Sequence, residues 1–213
     1  MKNNFGEGGQ MKMKIAGILI AGGRSRRMGA DKALLKYGGI PAIARVAAAL
    51  GEVADPVTVA CGEKEREDFR FLKLSQAADL FPGCGPLAGI HAGMSAAPSD
   101  WYFAAPCDLP FVSAAFMRYI LDAWERSGGR AAVVPVSRSG KVQPLLGLYH
   151  KDTLAKLEIA LSEGKLKVMD WLAGLDVLYV PEEGFTGHLE GAPSPLLNVN
   201  TPEEYRAAAE WRV

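Results

Sequence analysis

Short apolar blocks recur along the chain, separated by longer stretches in which apolar and polar positions mix. The short blocks lie at residues 14–20, 56–61, 101–105, 131–135, 145–149 and 177–180. Each is a nearly continuous apolar run, and most end beside a glycine or a proline. Such runs are typical of strands in a sheet that is covered on both faces. The pattern therefore predicts a set of buried strands.

The longer stretches between these blocks predict helices. They lie at residues 41–50, 63–69, 86–97, 113–126, 151–162, 168–172 and from 201 to about 212. Ser113 is the expected N-cap of its helix, because its hydroxyl can accept a hydrogen bond from a free backbone N–H. Residues 201–204 have the sequence Thr-Pro-Glu-Glu, which combines a hydroxyl cap, a proline at the first helical position and acids in the first turn.

Strands that alternate with helices predict an α/β fold, in which a mostly parallel central sheet lies between two layers of helices. We expect a Rossmann-like three-layer sandwich that forms a single domain over residues 14–213, since 213 residues suit one domain. Residues 1–13 are expected to form a disordered extension, because their first part is rich in glycine and asparagine. In such sheets ligands bind at the carboxyl ends of the strands.

The charge balance narrows the possible partners. The 24 basic and 24 acidic side chains give a formal net charge of +0, so no overall field attracts nucleic acid or an anionic membrane.

No run of about 18 apolar residues is present, and the amino terminus lacks the apolar core of a signal peptide. The 3 cysteines are too far apart for a Cys-x-x-Cys metal site, which favours reduced thiols in a cytoplasmic protein. The expected ligand is a small phosphate-bearing molecule.

The loop after the first strand has the features of a phosphate-binding site. Residues 21–32 combine glycines, which let the backbone approach a ligand, with the cations Arg24, Arg26, Arg27 and Lys32. The loop contains neither the Gly-Lys-Ser/Thr of a Walker A motif nor the dinucleotide-binding fingerprint. A solvated basic surface loop is the alternative, but a position directly after the first strand favours nucleotide binding.

Two aspartates are candidates for the same edge of the sheet. Asp108 follows the strand at 101–105, and Mg²⁺ takes one or two carboxylates together with substrate phosphates, so Asp108 is the candidate metal ligand. Its alternative role, capping the next helix, is weakened by the better-placed Ser113. Asp79 precedes a proline and a glycine and is either part of the nucleotide site or a turn residue. The histidines have no metal-ligand spacing and are expected to be structural.

Five segments carry motifs that occur together in one family. They are residues 20–32 (Ile-Ala-Gly-Gly-Arg-Ser-Arg-Arg-Met-Gly-Ala-Asp-Lys), Asp79 with 85–90 (Gly-Pro-Leu-Ala-Gly-Ile), 106–111 (Pro-Cys-Asp-Leu-Pro-Phe), 143–149 (Gln-Pro-Leu-Leu-Gly-Leu-Tyr) and 198–203 (Asn-Val-Asn-Thr-Pro-Glu). In these segments the chain resembles the molybdenum cofactor guanylyltransferases. The resemblance extends from residue 14 to about residue 205, and chance would rarely produce such matches in this order.

This resemblance implies a fold like that of the nucleotide-diphospho-sugar transferases. It also implies that GMP is transferred from GTP to the terminal phosphate of molybdopterin, or of its molybdenum-loaded form, with release of pyrophosphate. Mg²⁺ is the implied cofactor. Transient contacts with other cofactor-biosynthesis proteins or molybdoenzyme chaperones are expected.

The resemblance also assigns roles to residues. The implied nucleotide-binding residues are Ile20, Ala21, Gly22, Gly23, Lys32, Asp79 and Asp108. The implied catalytic residues are Lys32, Arg27 and Asp108, of which Asp108 binds the metal. The implied pterin-binding residues are Gln143, Asn198 and Asn200. Asp31 is expected to orient Lys32 or the loop rather than to act directly.

Other functions stay open at this point. A molybdopterin cytidylyltransferase using CTP is the nearest alternative, although such relatives tend to have Leu-Ala-Ala-Gly where residues 20–23 are Ile-Ala-Gly-Gly. A sugar-1-phosphate nucleotidyltransferase fits the short chain and the asparagines at 198 and 200 less well. A nucleotide-binding module without catalysis would not need Lys32 together with Asp108.

Three residue roles also have alternatives. An asparagine near the end of the second strand contributes to nucleotide binding in some relatives, and that role is not transferred because residues 59–62 are Val-Ala-Cys-Gly. Asn200 has an alternative role in binding Mg²⁺, as a late asparagine does in related sugar nucleotidyltransferases. Lys141 either steers the pterin phosphate or belongs to a mobile loop at 137–141.

Overall fold

The computed structural model describes residues 13–22, 31–187, 193–199 and 201–209. Its strands are β1 (Ile15–Ile20), β2 (Lys36–Tyr37), β3 (Ile40–Pro41), β4 (Val57–Ala60), β5 (Ser75–Ala77), β6 (Trp101–Pro106), β7 (Ala132–Val136), β8 (Gly147–His150) and β9 (Val177–Pro181). Its α-helices are α1 (Ala42–Gly51), α2 (Pro86–Ala96), α3 (Ala114–Arg126), α4 (Thr153–Ser162), α5 (Val168–Ala173) and α6 (Pro202–Ala209). Short 3-10 helices span Lys32–Leu34, Glu67–Leu72 and Glu182–Gly184.

Among the described residues, the main sheet has seven strands in the order β5-β4-β1-β6-β8-β7-β9. Neighbouring strands are parallel except where β8 is involved, since β8 runs antiparallel to both β6 and β7. Strands β2 and β3 form a separate antiparallel hairpin. The direction of β8 brings the residues that precede it to the edge where the parallel strands end.

Strand β1 lies inside the sheet and is covered on both sides. Because successive side chains of a strand point to opposite faces, Leu19 packs into a first core with α1 and α3, while Ile18 and Ile20 pack into a second core with α2, α4 and α5. Residues 16–20 are all buried, which explains their continuous apolar sequence. The predicted Rossmann-like three-layer sandwich with a mostly parallel sheet is confirmed.

Both predicted helix starts are confirmed. The Ser113 hydroxyl accepts a hydrogen bond from the backbone N–H of Phe116 at 3.2 Å. The Thr201 hydroxyl accepts from the backbone N–H of Glu204 at 3.1 Å, and the Glu204 carboxylate accepts from the backbone N–H of Thr201 at 3.0 Å. This reciprocal pair is a capping box, which satisfies backbone donors that a helix leaves free at its first turn.

The helix predicted over residues 63–69 is wrong. The chain there forms only the 3-10 helix Glu67–Leu72, which is followed by Lys73 in the left-handed region at a φ of 54°. Phe69 is the buried residue of that 3-10 helix, so no apolar stripe is present to hold an α-helix against the sheet. Strands β2, β3 and β5 were not predicted, because they are short and their residues are mostly exposed or half-buried.

The structure bears only in part on the expectations about membrane spans and the amino-terminal extension. In the described ranges, no helix combines the length and the apolar character needed to cross a membrane. Met13 packs against the first core, whereas the rest of the predicted extension, residues 1–12, lies outside the described residues. The single-domain boundary at residues 14–213 stays a prediction.

Candidate functional site

The candidate residues converge on one edge of the sheet. The carboxyl ends of β4, β1 and β6 lie side by side there, because Ile20 pairs with both Ala60 and Pro106. Asp108 follows β6 at this edge. Since β8 is antiparallel, its amino-terminal end meets the same edge, and the backbone N–H of Gln143 donates to the carbonyl of Pro135 in β7 at 3.0 Å. Segments that are far apart in the sequence therefore meet at one place.

Asp108 and Lys32 are close enough to interact electrostatically. Burial raises the pKa of the Asp108 carboxyl, and the positive charge of Lys32 is the largest influence that opposes this rise. A hydrogen bond from the Asn198 side chain and the charge of Lys141 act in the same opposing direction. The half-buried carboxylate thus faces two cations and an amide. The structure brings together the acid and the lysine that the sequence placed in one site.

Asn198 connects Asp108 to the segment before β8. Its Oδ1 accepts hydrogen bonds from Gln143 Nε2 at 2.9 Å and from Lys141 Nζ at 3.3 Å. Gln143 Nε2 also donates to the carbonyl of Leu196 at 3.3 Å, and the backbone N–H of Val199 donates to the carbonyl of Asp108 at 3.3 Å. Gln143 and Asn198, which were assigned to the pterin from separate motifs, therefore form one hydrogen-bonded unit beside Asp108.

The turn that carries Lys32 is capped and ion-paired. Asp31 is the N-cap of the 3-10 helix Lys32–Leu34, and its Oδ1 accepts from the backbone N–H of Ala33 at 2.9 Å. Its other oxygen, Oδ2, lies 2.5 Å from a guanidinium nitrogen of Arg66. The structure agrees with an orienting role for Asp31. Arg66 was missed by sequence reasoning, because its only sequence signal is a charged stretch that was predicted to be a helix.

The end of β1 can offer only backbone groups to a ligand. The side chains of Ile20 and Ala21 are buried in the cores, and the N–H of Ala21 already donates to the carbonyl of Ala60 at 2.9 Å. A Cβ at Gly22 would lie 2.7 Å from both Cα and N of Gly62. Close packing of two backbones therefore explains why Gly22 is a glycine, independently of any bound nucleotide.

Asp79 has a free acceptor near the end of β5. Its backbone N–H donates to the carbonyl of Gly62 at 2.7 Å, but its Oδ1 is buried and has no hydrogen-bond partner among the described residues. Burial raises the pKa of Asp79, the negative charge of Glu63 raises it further, and His91 opposes this. A buried acceptor without a partner costs free energy, so a hydrogen bond from a ligand would be favourable here.

Several predicted residues lie outside the described residues. They are Gly23, Arg24, Arg26, Arg27, His188 and Asn200. Their roles stay predictions. The structural roles expected for the other histidines agree with their contacts, since His91 is buried beside Glu158 at 3.3 Å and His150 lies 3.2 Å from Asp152.

Comparison with known proteins decides the family. Residues 17–178 match the MobA-like NTP transferase domain, which is well over half of the chain. The chain belongs to the MobA-like NTP transferase family. The resemblance drawn from the sequence motifs is therefore confirmed, and the MobA-like chain is a nucleotidyltransferase.

Relatives of this MobA-like chain extend over nearly its whole length. A protein from Pelotomaculum thermopropionicum named "Probable molybdenum cofactor guanylyltransferase" is 38% identical over 193 residues, covering 90% of each chain. A protein of the same name from Halalkalibacterium halodurans is 31% identical over 198 residues, covering 92% of this chain and 96% of its own. The crystal structure of molybdopterin-guanine dinucleotide biosynthesis protein A from Archaeoglobus fulgidus is 26% identical, with a TM-score of 0.76, and the match covers 93% of this chain and 97% of that one.

Proposed function

We propose that this chain transfers GMP from GTP to the terminal phosphate of molybdopterin, or of its molybdenum-loaded form, with release of pyrophosphate. The observation that carries this proposal is the convergence of Lys32, Asp108, Asn198 and Gln143 at the carboxyl edge of the sheet. The names of the relatives support the choice of guanylyl transfer, and residues 20–23 lack the Leu-Ala-Ala-Gly that is typical of relatives using CTP.

The chemistry needs little from the protein beyond position and charge. An oxygen of the molybdopterin phosphate forms a bond to the α-phosphorus of GTP, and the bond from that phosphorus to the bridging oxygen of the β-phosphate breaks. Because the attacking phosphate is already anionic, no general base is required. Catalysis would then rest on holding the two substrates in line and on neutralising the charge that moves to pyrophosphate.

Each described residue has a role that suits its surroundings. Lys32 offsets negative charge on the triphosphate. The amides of Gln143 and Asn198 hold the polar edge of the pterin, since an amide offers donors and an acceptor together. Asp79 accepts a hydrogen bond from the nucleotide through its unpaired Oδ1. Arg27 and the backbone of Gly23 would add to the phosphate site, and Asn200 to the pterin site.

Asp108 is the proposed anchor for Mg²⁺. In the described part of the chain, no group of three or more His, Cys, Asp or Glu side chains could hold a metal by itself. Mg²⁺ commonly keeps several waters and takes one or two carboxylates together with substrate phosphates, so Asp108 would suffice as the anchor. Burial already disfavours the charged form of this carboxyl, and a bound cation would offset that effect. When bound, Mg²⁺ would neutralise charge on the triphosphate.

The proposal is tested by following pyrophosphate release with molybdopterin and Mg²⁺, using GTP and CTP in parallel. GTP should be the preferred substrate, and a clear preference for CTP would overturn the choice of nucleotide. Asp108→Ala should lower the rate by about 10²-fold or more if this residue anchors the metal. The matched control is Asp122→Ala, an exposed aspartate on α3, which should retain normal turnover. Near-normal turnover of Asp108→Ala would remove Asp108 from the mechanism.

Two further expectations from the sequence stay predictions. They are a cytoplasmic location and transient contacts with other cofactor-biosynthesis proteins or molybdoenzyme chaperones.

A further inference from the structure

Arg66 sits between the sheet and the turn that carries Lys32. One of its guanidinium nitrogens lies 2.5 Å from Asp31 Oδ2 and also contacts Asp68. A second nitrogen, Nε, donates to Asp68 at 3.2 Å. The guanidinium therefore bridges two carboxylates. Asp68 is two residues away in the sequence, whereas Asp31 belongs to the distant turn that carries Lys32.

The position of Arg66 is itself fixed from several directions. Its backbone N–H donates to Gln76 Oε1 at 2.8 Å, and Gln76 Nε2 donates to the carbonyl of Arg66 at 2.9 Å. Gln76 belongs to β5, so these two bonds tie Arg66 to the main sheet. The guanidinium also lies over the buried ring of Phe69, with Cζ 4.0 Å from the ring centroid, which favours a cation–π contact.

A continuous set of contacts therefore leads from β5 to Lys32. Gln76 holds the backbone of Arg66, Arg66 holds Asp31, and Asp31 accepts from the backbone N–H of Ala33 in the 3-10 helix that begins at Lys32.

We propose that Arg66 is a positioning residue for Lys32, which it holds in the orientation that the nucleotide phosphates require. This inference rests on the proposed function, because it takes Lys32 to bind the triphosphate. Arginine suits the task better than lysine, because its planar fork can contact two carboxylates and stack on a ring simultaneously. The ion pair also offsets part of the negative charge that Asp31 places next to the triphosphate site.

The proposal is tested by the variants Arg66→Met, Lys32→Met and the double variant. Arg66→Met should lower kcat/KM for GTP by about 10- to 100-fold, as expected when a reacting group is misplaced by a distant change. Because Arg66 acts through Lys32, adding Arg66→Met to Lys32→Met should cause no further loss. Multiplied losses in the double variant, or a normal kcat/KM in Arg66→Met, would overturn the inference. Arg66→Lys, which keeps the charge, should lose less than Arg66→Met.

The matched control is Arg130→Met. Arg130 forms an exposed ion pair with Asp176 at 2.8 Å, and both residues lie before parallel strands, at the opposite edge of the sheet. Its loss should leave kcat/KM within about twofold of wild type, since exposed ion pairs contribute little.

A second measurement does not depend on turnover. Hydrogen exchange at the amide of Ala33 should become faster in Arg66→Met, because Asp31 would no longer be held as its acceptor. Unchanged exchange there would overturn the inference. If wild-type enzyme released no pyrophosphate from GTP while exchange responded as expected, the proposed function would fail and the link from Arg66 to the Lys32 turn would stand.

Discussion

Burial disfavours the charged form of Asp108 in the free protein. Burial raises the pKa of its carboxyl, and Lys32, Asn198 and Lys141 reduce this rise without removing it. Groups with perturbed pKa values are common in active sites, where the chemistry needs a charge that folding alone would not favour. The carboxylate should therefore be a source of instability until a cation or a substrate occupies the site.

Asp108→Asn should stabilise the metal-free protein near neutral pH. The pKa of Asp108 is raised above its ordinary value of 3.8, so ionisation opposes folding at every pH above the raised pKa. Asparagine keeps the shape without the charge. The gain should be full at pH values above the raised pKa, shrink as the pH falls through it, and vanish below the ordinary value, where the carboxyl is protonated in both the folded and the unfolded state. Urea denaturation in EDTA at several pH values measures it, and a loss of stability near pH 8 would contradict it.

The sequence predicted the place of some site residues but not of others. Lys32, Asp108, Gln143 and Asn198 each lie in a motif whose residue types suggest their chemistry, and the structure places all four in one site. Arg66 could not be found in this way. Its importance comes from a contact with Asp31, which follows β1, whereas Arg66 follows β4. The parallel pairing of β1 with β4 brings these two distant parts of the sequence to the same edge of the sheet.

Two glycines let helix α2 pack closely against the sheet. A Cβ at Gly93 would lie 2.4 Å from Cγ2 of Ile18, and a Cβ at Gly89 would lie 3.4 Å from Cγ2 of Ile20. Their lack of side chains lets the helix backbone approach β1 closely.

Gly93→Ala should destabilise the fold by about 1–3 kcal/mol, because the added methyl group forces α2 and Ile18 apart in a packed core. Thermal or urea unfolding measures the loss. The control is Gly51→Ala at the end of α1, where an added Cβ meets no atom within 4 Å. That change should be neutral or stabilising by up to about 1 kcal/mol, because it restricts the unfolded chain. Equal effects of the two substitutions would contradict the packing argument.

For a strand, the sequence can predict burial but not direction. The apolar run of β8 predicted a buried strand correctly, but buried parallel and antiparallel strands both have such runs, so its direction could not be predicted. That direction decides where Gln143 lies. The failed helix at residues 63–69 has a related cause, since charged residues permit a helix but only a packed apolar stripe holds it in place.

The site as a whole depends on contacts between distant parts of the chain. Glu182 follows β9 and is only 2% exposed, yet its carboxylate accepts from the hydroxyl of Ser194 and from the backbone N–H of Arg138. Ser194 begins the segment that leads to Asn198, and Arg138 lies in the turn before Gln143. One buried carboxylate therefore connects the two segments that supply the amides of the site.

Glu182→Gln should weaken the pterin half of the site selectively. Glutamine has the same shape but no charge, and it replaces one acceptor oxygen with a donor. The Ser194 hydroxyl must then accept instead of donate, and both bonds lose the contribution of the carboxylate charge, at a cost of about 1–3 kcal/mol in the free energy of unfolding. Looser segments should raise KM for molybdopterin while KM for GTP stays close to wild type, because Lys32 is held separately through Asp31. Steady-state kinetics with each substrate varied in turn measures both values. The neighbouring Glu183 is exposed, so Glu183→Gln should change neither value. An equal rise in both KM values in Glu182→Gln would show that the two halves of the site are not held independently.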